Sequence, residues 1–174
     1  MRAVLDRLYT ISGALSALLI LAICGVIGLQ ILFNIITRLR IIETSLTIPS
    51  YADISGYLLA AASFLALAYA LQRGGHIRVT LVLTMAGPGF RYVADAVSLA
   101  VCGVISALAT YYVALMTYQS YVFNDLSPGI LAIPVWIAQV PVTLGLAILT
   151  VAFADLLIQT LRNGVPLPET RTLE

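Results

Sequence analysis

The chain has 174 residues, 61% of them hydrophobic and only 10% charged, with a net charge of +1 and two cysteines. That is too apolar for an ordinary soluble domain, its near-neutral charge offers no footprint for a nucleic-acid partner, and the lone Cys24 and Cys102 leave disulfide-exchange chemistry without its CxxC motif. Four stretches carry no charge at all, 8–37, 54–72, 96–124 and 126–154. Each is about 19 residues or longer, enough for a helix to cross roughly 30 Å of hydrocarbon. These runs are continuously apolar rather than alternating, which favours helices over a barrel. The expected fold class is an all-α integral membrane protein. It is a single domain, 1–174, with helices at about 9–37, 54–72, 92–118 and 134–158.

The first helix follows Arg2 and Arg7. Its apolar run exceeds the core of a signal peptide, and no small-x-small cleavage site follows a short core, so it is expected to be retained. Tyr9 suits the headgroup zone at its start. Near its far end Gln30, Asn34 and Thr37 share one face, and Gln139 lies at similar depth in the fourth helix. Amides at that depth more often bond neighbouring helices than line a solute path. Gln30, Asn34 and Gln139 are therefore candidates for buried polar packing. The first connection carries Arg38, Arg40, Glu43 and Asp53.

The second helix, with Gly56, Ala60, Ser63 and Ala70 in a small-residue stripe, runs into "LQRGGHIRV", 71–79, which holds His76, the only histidine. A metal, haem or proton role for His76 lacks a second histidine, a cysteine pair or a buried carboxylate to join it. Gly74 and Gly75 let the chain leave the helix in a conformation other residues resist. Arg73 and Arg78 suit the headgroup zone, with His76 bonding locally or touching lipid phosphate. Arg73, Gly74, Gly75, His76 and Arg78 thus form a candidate cytoplasmic turn and phospholipid contact. The apolar segment 76–90 is too short to span. It reads as a short interfacial helix broken by Gly87, Pro88 and Gly89, or equally as an apolar loop packed on the helix ends.

The third helix carries Asp95 in its expected first turn and small residues at Ala96, Ala100, Gly103, Ala107, Thr110 and Ala114. Tyr118, Tyr121, Phe123 and Trp136 cluster about the loop 119–133, as aromatic rings do at a membrane surface, with Tyr92 playing that part at the other face. Pro134 suits the first turn of the fourth helix, and Pro141 is expected to kink it. Thr143, Ala147, Thr150 and Ala154 continue the small-residue pattern, and Asp155 falls in the expected last turn. Seven arginines, Arg2, Arg7, Arg73, Arg78, Arg91, Arg162 and Arg171, lie on one side and two, Arg38 and Arg40, on the other. Both termini are therefore expected in the cytoplasm.

No ionisable group lies near the centre of a span, so Asp95 and Asp155 read as interfacial carboxylates paired with arginine or water. A proton-coupled exporter lacks its intramembrane carboxylate, a haem protein its facing histidines, and an intramembrane protease its serine motif. No catalytic residue, cofactor site or metal site is expected, and no internal repeat is visible.

The order "ALQRGGHIRV", then "NDLSPGILAIPVW", then "IAQVPVTLGLAIL" resembles the small membrane subunit of tripartite ATP-independent periplasmic (TRAP) transporters, the DctQ-like family. The resemblance covers nearly the whole chain. Its most specific parts are 73–79 and 133–136, followed by Pro141 and Gly145. Two departures stand out: Thr80 sits where many members have an acidic residue, and the second helix lacks a tryptophan many members carry there. The resemblance implies a bacterial inner-membrane scaffold of a sodium-coupled solute importer. Its partners would be a large elevator-type membrane subunit, forming a heterodimer with it, and a periplasmic solute-binding protein. For docking the latter, the connections offer Arg40, Glu43 and Asp125 as candidate contacts. The alternatives are a self-sufficient homo-oligomeric transporter or channel, with Gln30, Asn34 and Gln139 lining its path, and a membrane anchor of a redox complex.

Overall fold

The computed structural model describes residues 2–39, 48–73 and 88–163. It contains four helices, α1 (Arg2–Arg38), α2 (Tyr51–Gln72), α3 (Pro88–Val122) and α4 (Val135–Asn163), each long and apolar enough to span a membrane. They outrun the charge-free stretches because a helix satisfies its own backbone groups and need not stop where the hydrocarbon does. At about 1.5 Å per residue, α1 reaches roughly 55 Å and must protrude or tilt.

Several expectations change with these bounds. Pro88 opens α3 rather than breaking a preceding segment, because a proline at the first helical position forfeits no intrahelical bond. Asp95 consequently sits about two turns into α3, and Asp155 about two turns before the end of α4. Pro134 precedes α4, which runs unbroken through Pro141. The segment 76–90 falls outside the described residues up to 87.

The helices form an open row. α1 packs on α2, α2 on α4 and α4 on α3, while among the described residues α3 makes no close approach to α1 or α2. The spatial order is thus α1, α2, α4, α3, with the second and fourth helices of the chain at the centre. Burial follows position: 22% of the α2 span and 28% of the α4 span are buried, against 11% of each flanking helix.

Small residues make each contact possible, since lipid removes the hydrophobic drive between helices and leaves close packing and hydrogen bonds. Between α1 and α2, Ser12 Oγ donates to the Leu65 carbonyl at 2.5 Å and Ser16 Oγ to the Ala62 carbonyl at 2.7 Å. Between α2 and α4, Gly145 lies so close to α2 that a Cβ on it would stand 2.6 Å from the Phe64 carbonyl carbon. Between α3 and α4, hydroxyls form a ladder: Ser106 and Thr110 lie 3.0 and 3.1 Å from Thr150, and Thr117 lies 3.0 Å from Thr143. The small apolar core of Tyr9, Ala68 and Ala152 joins α1, α2 and α4.

Candidate functional site

Four crossings return the chain to the side on which it began, so the row has a loop end, bearing 48–50 and 123–134, and a terminal end. Spans without central charges leave any chemistry to these two ends.

At the loop end α3 stops with Asn124 in the left-handed region (φ 51°), and the Asp125 amide donates back to the Ser120 carbonyl at 3.1 Å. This is the six-to-one bond of a Schellman cap, with asparagine in the place glycine usually takes. The chain then doubles back on itself: Ser127 N–H donates to Ile133 at 2.9 Å, Val135 N–H to Asp125 at 3.0 Å, and Leu126 bridges to Pro134. Two side-chain bonds tie this loop to α2. Tyr57 Oη donates to Ser127 Oγ at 2.7 Å, and Ser50 Oγ accepts the Leu131 amide at 3.0 Å. Ser50, left-handed at φ 55°, offers no side-chain cap to its own helix; its hydroxyl holds the loop instead. Gly129 rests directly against the Asp53 carboxylate, leaving no room for a side chain. Asp125, the candidate docking residue, is held exposed on this tied loop beside Phe123, Leu126 and Ile130, which is 88% exposed. Arg40 and Glu43 lie outside the described residues.

Gln30 is buried near the same end, its Nε2 donating to Asn34 Oδ1 at 3.3 Å and its Oε1 accepting the Ile48 amide at 2.8 Å. Asn34 itself is exposed, and Gln139 Oε1 is buried without a partner. Gln30 and Asn34 are on α1 and Gln139 on α4, with α2 between them, so the row does not gather the three amides into one path. Trp136 meets Tyr121 edge-on at 5.6 Å, at the mouth of an apolar groove of about 340 Å³ between α3 and α4.

At the terminal end a smaller cleft of about 200 Å³ opens between α1 and α2, lined by Asp6, Tyr9, Thr10, Tyr69, Gln72 and Arg73. Arg73, exposed at the end of α2, stands over the Tyr69 ring at 5.2 Å, a cation–π arrangement. Tyr9 departs from its expected headgroup position: it is 2% exposed and packs beneath Ala68 and Ala152. Its ring fills the point where three helices converge, which an aromatic at a helix start does not announce. Asp155 accepts a hydrogen bond from Gln159 at 2.7 Å, and Asp95 is buried in α3. Gly74, Gly75, His76 and Arg78 lie outside the described residues.

Among the described residues no three His, Cys, Asp or Glu side chains converge as a metal site would require. Four long apolar helices in an open row define a multi-pass membrane protein. A family model, that of tripartite ATP-independent periplasmic transporters, DctQ component, matches residues 27–163, more than three quarters of the chain. The chain belongs to this family: it is the small permease subunit of a TRAP transporter, an inner-membrane transport component and not an enzyme. Transporters of this kind join such a subunit to a large membrane subunit and a periplasmic binding protein. No curated protein and no solved structure matches the chain.

Proposed function

We propose that the chain is the fixed scaffold of a sodium-coupled, binding-protein-dependent importer. Both termini lie in the cytoplasm, the helix row seats the large subunit, and the loop end faces the periplasm and helps dock the binding protein. The observation that carries this reading is the open row. Four helices arranged side by side leave most of their apolar surface uncovered, including Leu18, Leu21 and Ile31 on α1 and Val104, Ile105 and Leu108 on α3. A self-contained transporter would instead enclose a path and place ionisable or amide groups along it. Arg73 and the turn that follows act as the cytoplasmic phospholipid contact.

Co-purification tests the scaffold role. The tagged chain, expressed with its large subunit, is expected to bring that subunit out of mild detergent in equal amount; a chain that emerges alone would sink the reading. Docking is tested by reversing charge at Arg40, Glu43 or Asp125. Solute uptake is expected to fall with membrane insertion unchanged, and full uptake in all three variants would remove docking from the role.

A further inference from the structure

α1 and α3 form the two edges of the row, and their outward faces differ in chemistry. Along the middle of α1 the stretch 17–29 carries no side-chain nitrogen or oxygen, and Leu18, Leu21 and Leu29 are exposed on it. Such a face suits acyl chains, which offer no hydrogen bonds and ask for none. The middle of α3 instead exposes two phenols. Tyr111 is 63% and Tyr112 60% exposed, with their rings edge-on at 5.5 Å. Neither hydroxyl has a hydrogen-bond partner among the described residues.

Depth makes those hydroxyls costly in lipid. Both lie about 20 Å from either end of the charge-free run 96–124, at about 1.5 Å per residue. A tyrosine side chain spans a fraction of that distance, so neither phenol reaches the headgroup zone that suits Tyr118 and Tyr121. A hydroxyl in hydrocarbon without a partner is disfavoured, and acyl chains supply no acceptor. A neighbouring protein helix does, through a freed backbone carbonyl or a polar side chain.

The groove between α3 and α4 continues the same face. Tyr111, Ala114, Tyr118 and Tyr121 follow one another at steps of three and four, and the last three line the groove together with Trp136 and Val140 of α4. The threonine hydroxyls within it are already used: Thr117 and Thr143 lie 3.0 Å apart, and each bonds a carbonyl of its own helix, Val113 at 2.7 Å and Gln139 at 2.9 Å. The groove holds about 340 Å³, the volume of roughly eleven waters, but its walls are almost wholly apolar and water needs polar partners. An acyl chain fills such a groove yet leaves Tyr111 unanswered one turn further in. A helix both fits its side-chain ridge into the groove and brings acceptors to the phenols.

We infer that α3 is the edge of the row on which the large subunit sits. A transmembrane helix of that subunit lays aliphatic side chains into the α3–α4 groove, and acceptors on the same surface take hydrogen bonds from Tyr111 and Tyr112. The inference rests on the scaffold reading and deepens it, fixing which edge meets the partner and what chemistry the partner carries in mid-membrane. α1, at the other edge, faces lipid.

Photo-cross-linking in the full transporter tests the assignment. Benzoylphenylalanine placed at the exposed Val104 or Tyr118 on α3 is expected to cross-link to the large subunit, and at the exposed Leu18 or Leu21 on α1 it is not. Cross-links from α1 alone, from both edges equally, or from α3 to a second copy of this chain overturn the inference while co-purification still upholds the scaffold role. A chain that emerges alone removes both. Tyr111→Phe and Tyr112→Phe keep the rings and delete one hydroxyl each. Each is expected to weaken association with the large subunit about fivefold, read as dissociation of the detergent-solubilised complex on dilution. Hydroxyls that face lipid give the opposite sign: their removal leaves association unchanged and raises the melting temperature, and that result overturns the inference.

Discussion

Ser50, Tyr57 and Ser127 at the loop end meet hydrogen-bond partners on a neighbouring element, whereas at the terminal end the Tyr9 ring packs in a small apolar core with Ala68 and Ala152. Both ends join α2 to another part of the row, and both carry an aspartate and an aromatic hydroxyl. The difference lies in what completes them. The loop end closes with the chain's own backbone and forms a platform whose shape is set before anything binds. The terminal end closes by packing of the Tyr9 ring where three helices meet. A subunit built this way presents a hydrogen-bonded platform at one end of the row and a packed helix junction at the other, and the two should respond differently to substitution.

The largest effect is expected where one change undoes both ends. The loop tie and the Tyr9 core each need α2 held against α4, and that contact depends on Gly145. A Cβ there would stand 2.6 and 2.7 Å from the Phe64 carbonyl carbon and oxygen and 2.9 Å from the Leu65 nitrogen. These are backbone atoms and cannot rotate away. Overpacking costs about 1–3 kcal/mol even where side chains can yield, and more where two helices must part. Gly145→Val is expected to abolish recovery of the folded subunit with its large partner by size exclusion. Gly56→Ala, whose added carbon meets nothing within 4 Å, is expected to stay within about 0.5 kcal/mol of the parent. Equal recovery of both variants would show that the central crossing is not where the row is held.

The four spans were legible because hydrocarbon imposes length and excludes charge, a constraint each stretch satisfies on its own. Their order in space was not. Small residues recur on α2, α3 and α4 alike, and only the actual approach of Gly145 to Phe64, with Gly56 facing nothing, tells a used stripe from an idle one. Tyr9 misled because an aromatic at a helix start fits a headgroup and a core equally well. The loop tie was invisible for another reason: Tyr57 and Ser127, or Ser50 and Leu131, are ordinary residues some 70 to 81 positions apart, and no local pattern pairs them. Asn124 did carry a readable signal, since asparagine tolerates the left-handed cap. The arginine, glycine and histidine turn made the family legible, yet the cleft beside it depends on Tyr9 and Asp6 from a helix more than sixty residues away.

An intermediate effect should fall on the loop end alone. Gly129 lies against the Asp53 carboxylate, and a Cβ there would also come within 3.4 Å of Ser50 Oγ. Gly129→Val is expected to push the loop off α2, at roughly 1–3 kcal/mol. Transport should fall while the subunit still inserts and still co-purifies with the large subunit. If the subunit lost its large partner as Gly145→Val is expected to, the two ends would be one coupled unit and not separate devices.

The smallest and most specific change removes a single bond. Tyr57→Phe and Ser127→Ala each delete the 2.7 Å contact between α2 and the loop, and an intramolecular hydrogen bond contributes about 0.5–1.5 kcal/mol net. Ser127 Oγ also accepts the Gly129 amide at 3.4 Å, so Ser127→Ala should cost slightly more than Tyr57→Phe, which leaves that second contact in place. The double variant is expected to fall short of the sum of the two singles by about 1 kcal/mol, read as melting temperature of the purified complex. Strict additivity would mean that the two hydroxyls lie close without holding the loop. In that case the Ser50 to Leu131 side of the loop, and not its Tyr57 anchor, would set how firmly Asp125 is presented.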